Sequence, residues 1–324
     1  MTNKERYQQL CDAEPSICIY DQPWFMDVVC GKDNWDVLLY EKNGNTIGAL
    51  IYYVKELHGL RYITTPYRVQ HNGVWVKYSD AQAESKRISL EKEVMTALID
   101  ELEQIAQDQK IIYYQQSFSP LITNWLPFYW KGYQQTTRYT YRINDIHDPQ
   151  KVFENFQHNK RKNINKAKKA GIQVAFDLPA KEFYDFHKAC LQKQNKQIHY
   201  SFEVFEKIYH AVYAHDAGRT IYARDEGGNL LCALFNAWDD VWGYDWYSAI
   251  DPATRGTGAP DLLVYSMLEY LSDKVQGYDF EGSMIEGVEE SFRHFGATQT
   301  PFFSIQKIYT KNPLLRAAIN KKLR

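Results

Sequence analysis

No apolar run in the 324 residues approaches the ~20 needed to cross a bilayer, although 44 % of the chain is hydrophobic. A membrane-spanning helix is thereby excluded. The start carries no charged-then-apolar signal segment, so the expected location is cytoplasmic. The five cysteines (Cys11, Cys18, Cys30, Cys190 and Cys232) are odd in number and contain no C-x-x-C spacing. That pattern excludes a disulfide frame and gives no metal site, so no metal is expected. Net charge is only −2, which removes any general attraction to nucleic acid. Any polyanion must be met by a local patch. The length suits two domains of common size, each with its own core.

One stretch stands out among what is there. Asp251-Pro252-Ala253-Thr254-Arg255-Gly256-Thr257-Gly258-Ala259-Pro260-Asp261 lies between a strand-like run, Val241 to Ile250, and a helix-like run, Leu262 to Val275. An arginine and two glycines at a strand-to-helix turn leave backbone N–H groups unblocked by side chains. The helix start adds its positive dipole end, so the turn suits a pyrophosphate. It resembles the acetyl-CoA loop of the GNAT acyltransferases, Arg/Gln-x-x-Gly-x-Gly/Ala, with Arg255 and Gly258 in place and Pro260 at the final small position. Proline removes one donor but suits a first helical turn. The resemblance implies acyl-donor binding by Ile250, Arg255, Gly256, Thr257, Gly258 and Ala259. On this reading, Gly258→Asp abolishes CoA binding and leaves the fold intact.

The chain also repeats itself. Asn43 to Leu50 recurs as Gly227 to Leu234, in each case a glycine turn between two apolar runs, as in a hairpin. Phe128, Gly132, Gln135, Thr136, Tyr139 and Thr140 recur in order as Phe292, Gly296, Gln299, Thr300, Phe303 and Ser304. The first half is longer between these landmarks by roughly 20 residues, a loop-sized insertion. Copies this long indicate two related domains and not a solenoid. Only the second has the glycine loop; the first has Thr65 to Gly73 in the corresponding stretch, so one donor site per chain is expected.

A basic helix is expected over Asn159 to Ala170, with Ile164 and Ala167 on one face and Gly171 at its end. Arg161, Asn163, Ile164, Lys166, Ala167, Lys169 and Gly171 resemble a signature of the Fem family, peptidyltransferases that add amino acids to peptidoglycan precursors. Tyr20-Asp21-Gln22-Pro23-Trp24, Gly277-Tyr278-Asp279-Phe280-Glu281-Gly282-Ser283 and Phe292-Arg293-His294-Phe295-Gly296 resemble further segments of that family. Fem proteins consist of two GNAT-like domains, which agrees with the repeat. The implied class is α/β (α+β), two tandem GNAT-like domains, each a mixed central sheet flanked by helices. The expected division is residues 1–145, then 146–311. A tail helix at 312–324, capped by Asn312 with Pro313 first, would pack back on the first domain through Leu315, Ala318, Ile319 and Lys322. Its basic amphipathic character also permits contact with an anionic membrane at the inner face.

Acyl transfer from a thioester to an amine needs a proton acceptor near the amine and stabilisation of the carbonyl oxygen. Alternation along Tyr244 to Ala249 would place Asp245 and Tyr247 on one face, and Tyr244, Trp246 and Ser248 on the other. Asp279 and Glu281 flank Phe280 at the end of the next strand and are the preferred candidate bases. Asp245 and Arg293 complete the catalytic set. Arg161, Lys162, Lys166, Tyr244 and Tyr247 are the candidate substrate contacts. The favoured activity is transfer from acetyl-CoA or another acyl-CoA to an amine of a small or lipid-linked cell-envelope precursor. Aminoacyl-tRNA as donor is the second reading, weakened by the neutral charge and the absence of the coiled-coil arm of some Fem members. A non-catalytic glycan- or nucleotide-binding module is the third.

Overall fold

The computed structural model describes residues 1–79 and 82–322, with only the backbone of Lys322. Leu323 and Arg324, the end of the expected tail helix, lie outside the described residues, as does the Lys322 side chain. The chain forms two compact units, Met1–Arg138 with Pro301–Arg324, and Tyr139–Thr300. The chain therefore changes unit at 138/139, earlier than the expected 145/146. It returns at 300/301, ahead of the tail helix.

The first unit opens with α1 (Asn3–Ala13) and α2 (Pro23–Cys30), followed by β1 (Trp35–Lys42), β2 (Asn45–Leu57), β3 (Leu60–Thr64) and β4 (Val74–Val76). Next come α3 (Glu84–Asp108), β5 (Ile111–Ser117), α4 (Leu126–Trp130) and the start of β6 (Gln134–Ile143). Thr2 and Glu5 close a reciprocal capping box at α1, and Pro23 occupies the first turn of α2, which needs no N–H there. The expected hairpin is β1–β2, turning at Asn43 and Gly44, both left-handed. Period-two burial then divides β2: Leu50 and Tyr52 pack under α3, whereas Ala49 and Ile51 face the core shared with α1 and α2.

In the second unit, β6 ends and α5 (Pro149–Asn155), α6 (His158–Lys169), β7 (Gln173–Phe176), α7 (Ala180–Gln192) and α8 (Phe202–Ala214) follow. Then come β8 (Gly218–Arg224), β9 (Leu230–Trp238), β10 (Trp242–Ile250), α9 (Ala259–Leu271), β11 (Gly277–Asp279), α10 (Glu286–Arg293) and the start of β12 (Thr298–Ile308). β12 and α11 (Pro313–Lys322) belong to the first unit beyond Thr300. In the first unit the strand order is β1-β2-β3-β5-β12 with β4 on β2, and in the second β6-β11-β10-β9-β8-β7. Each sheet mixes one parallel pair, β3–β5 or β10–β11, with antiparallel neighbours. Both units place the repeated landmarks alike: Gly44 and Gly228 in hairpin turns, Gly132 and Gly296 between a short helix and the next strand. Among the described residues no helix is long and apolar enough to cross a membrane.

Candidate active site

Two parallel strands part in the second unit. β10 and β11 pair only from Trp242–Gly277 to Tyr244–Asp279, where β11 ends; β10 continues to Ile250 against β9 alone. The chain beyond β11 turns sharply, with Glu281 at φ 59° and Gly282 at φ 55°. β10 is interrupted at the same level. Asp245 pairs with Asn236, but the next registered pair is Tyr247–Phe235, so Trp246 is an extra residue. This bulge breaks the expected alternation. It lets Ser248 Oγ donate to Asp245 Oδ1 at 3.1 Å, a contact that an unbroken pleat would prevent by putting the two on opposite faces.

Past Ile250 the glycine loop is built stiffly. Asp251 caps a short 3-10 turn through Ala253 N at 3.0 Å and is ion-paired with Lys193. Thr254 Oγ1 donates to Leu231 O of β9, and Thr257 Oγ1 to Thr254 O. The N–H groups of Arg255, Gly256 and Gly258 have no hydrogen-bond partner among the described residues, and the Arg255 side chain is exposed and unpaired. Arg255 and Gly256 are exposed and Gly258 is buried, and N–H groups without partners beside a helix start suit an anion.

Helix α6 is the second wall of this loop. Lys166 Nζ donates to Gly256 O at 2.7 Å, and Asn163 Nδ2 to Asp261 Oδ2 at 2.8 Å. Lys160 Nζ pairs with Asp261 Oδ1 at 2.7 Å and lies 4.1 Å from the centre of the Phe295 ring. Gly258 is required by this approach. Its φ is 84°, and a Cβ there would stand 2.1 Å from Asn163 O. The expectation that Gly258→Asp spares the fold is therefore corrected, because the side chain would force α6 away. Gly256 has open space around its Cβ position and no left-handed φ, so it is the glycine that tests the loop without disturbing its support.

The carboxylates differ in what holds them. Asp279, with no exposed surface, accepts from Thr140 Oγ1, from Arg142 Nε at 2.6 Å and from Glu281 N at 2.7 Å. Arg142 is itself buried over the Trp242 ring. Asp279 thus serves as the buried counter-ion of Arg142, with three of its acceptor positions occupied. Glu281 does not extend the strand as expected; it begins the left-handed turn, and desolvation pushes its carboxyl well above the usual range. Asp245 is buried, with no cation beside it among the described residues. Burial raises it to about 6, against the smaller opposing effect of the Ser248 hydrogen bond. Asn236, opposite it in register, gives Nδ2 to Tyr244 O and Tyr278 OH, while its buried Oδ1 has no partner.

The other expected contacts scatter. Arg293 forms an exposed i,i+4 pair with Glu289 on α10, which provides no link to Asp245. Tyr244 is buried and donates to Asp239 Oδ2, and Tyr247 is buried against Phe205 and Phe235. Arg161 donates to Glu154 O at 3.0 Å, tying α6 to α5, which leaves Lys162 and Lys166 as exposed cations. Two residues escaped the sequence reading. Asn236 is the lone amide in the apolar run Leu230 to Trp238, and Lys160 is the basic residue of α6 that turns inward.

The family described as acetyltransferase (GNAT) domain matches residues 154–290, which include α6, the split strands and the glycine loop. No curated protein sequence matches the chain. Among solved structures it is similar to FemX, with a TM-score of 0.70 at 13 % identity over 94 % of this chain and 96 % of that one. It is also similar to L-PGS from Bacillus licheniformis, with a TM-score of 0.57 at 8 % identity over 92 % and 90 %. A tandem GNAT protein from the clavulanic acid biosynthesis pathway gives a TM-score of 0.51 at 11 % identity over 86 % and 84 %. Residues 154–290 thus match the acetyltransferase (GNAT) domain family, and the chain as a whole has the fold of FemX.

Proposed function

We propose that this protein transfers an acyl group from acyl-CoA to an amine of a cell-envelope precursor. The observation that carries the reading is the stiff loop with the free N–H groups of Arg255, Gly256 and Gly258, next to Lys166. These donors match the pyrophosphate of CoA, and Ile250 and Thr257 and Ala259 complete the seat. From there the thioester reaches the opening where β10 leaves β11. Asp245 takes the proton of the attacking amine, since a carboxyl raised to about 6 is ionised at neutral pH yet basic enough to accept it. Asn236 Oδ1 is a second acceptor and orients the amine's N–H. Glu281, which burial keeps protonated to higher pH, is suited to giving a proton to the departing thiolate. Lys162 and Lys166 supply positive charge for a phosphate on the acceptor or donor.

Titration calorimetry with acetyl-CoA tests the seat. One site per chain is expected, and Gly256→Asp should weaken it by about ten- to hundred-fold, the effect of losing one or two charge-assisted hydrogen bonds. Unchanged affinity in a folded Gly256→Asp protein would remove the loop from donor binding. The likeness to the C-terminal domain of a putative lysylphosphatidylglycerol synthetase from Agrobacterium fabrum, with a TM-score of 0.55 at 10 % identity, favours a second reading, an aminoacyl donor. It predicts binding of charged tRNA and none of acetyl-CoA.

A further inference from the structure

The first unit contains a groove of about 510 Å³, which arises from how its sheet is covered. Alternation on β2 sends Leu50 and Tyr52 under α3, and Ala49 and Ile51 under α1 and α2. Further along that second face Tyr53 and Lys55 emerge with Tyr62 of β3 and Tyr113 of β5, and these form the floor. The roof is α11, through Leu315, Ala318 and Ile319. Among the described residues the side-chain hydrogen bonds of α11 lie at its own start, where Leu314 N and Leu315 N donate to Asn312 Oδ1 and Arg316 Nη1 donates to Thr310 O. It covers the groove by apolar contact alone. A void of this size falls in the range of small-molecule sites.

The polar groups left over decide the ligand class. Gln115 Nε2 donates to Ser304, Tyr113 OH to Gln306, and Thr65 Oγ1 accepts from Ser117 N. Tyr53 OH, Tyr62 OH and Lys55 Nζ have no partner among the described residues. A sugar or nucleotide would bring more donors and acceptors than the few polar groups of this mostly apolar lining can satisfy. An elongated apolar body with a single anionic head matches the inventory, with the body between the tyrosines and α11 and the head at Lys55.

We propose that this groove binds a single-chain anionic amphiphile, its carboxylate or phosphate held by Lys55. The full-length protein is titrated with palmitate, hexadecyl phosphate and neutral hexadecanol, each displacing 1-anilinonaphthalene-8-sulfonate. Palmitate and hexadecyl phosphate should bind with one site per chain, and hexadecanol about three- to five-fold more weakly, the scale of one solvent-accessible ion pair. Stronger binding of one head group identifies it as carboxylate or phosphate. Lys55→Met should abolish the anion preference while retaining the chain's binding. Ala318→Trp, at an exposed helix position, should fill the groove and abolish binding with an unchanged melting curve. Retained binding in Ala318→Trp would overturn the proposal, as would an anion preference that survives Lys55→Met. Failure of all three probes to bind would also overturn it.

Discussion

Asp245→Asn is expected to make the protein more stable and nearly inactive. The folded carboxyl releases its proton at about 6, whereas in the unfolded chain it does so at the ordinary value of 3.8. Between these two pH values the folded state binds more protons than the unfolded state, so this group's contribution to stability falls as pH rises from about 4 through 6. The amide removes that penalty and can still accept from Ser248. The variant should gain up to about 3 kcal/mol at pH 7.5, shrinking to under about 1 kcal/mol at pH 4. With a confirmed donor and acceptor, kcat/KM should fall by about 10²- to 10⁴-fold. Wild-type activity should rise with pH through about 6 as Asp245 ionises. Denaturant unfolding at the two pH values, paired with rates, separates the alternatives. A stability gain with full activity would make Asp245 a buried structural acid, and no stability gain would contradict its desolvation.

Asp279→Asn should act in the opposite direction. The pair with Arg142 is almost entirely out of water, with side-chain exposures of 0 % and 5 %. Replacing the acid strands the guanidinium over Trp242 without a counter-ion, at about 3–5 kcal/mol. Arg142→Met combined with Asp279→Asn should recover much of that loss, because the uncompensated charge disappears with its partner. The urea midpoint of the single and double variants checks this. A single variant as stable as wild type would show that the pair is not holding β6 to β11.

The contrast between these two acids shows where the sequence could be read and where it could not. The β1–β2 hairpin is written locally in Asn43-Gly44 between alternating apolar residues, and α6 in its buried Ile164 and Ala167 followed by Gly171. Short-range rules suffice for such elements. Asp279 and Glu281 looked equivalent because both flank Phe280, but the partner that claims Asp279 lies 137 positions away. The bulge at Trp246 has no glycine or proline to announce it, so the facing of Asp245 and Ser248 could not be deduced from alternation. Gly258 was legible as necessary, though for an incomplete reason: it also admits the Asn163 carbonyl of α6, a neighbour set by the tertiary fold. Lys160 is indistinguishable in sequence from the exposed lysines around it until Asp261 is seen opposite.

The central claim is that the backbone from Arg255 to Gly258 holds the phosphates of the acyl donor. Amide chemical shifts of the ¹⁵N-labelled protein during titration with acetyl-CoA test this directly. The account predicts that the amides of Arg255, Gly256 and Gly258 move together and saturate at one equivalent, while those from Thr65 to Gly73 stay in place. Binding that leaves the three loop amides unshifted, or that moves the Thr65 to Gly73 stretch instead, would contradict it.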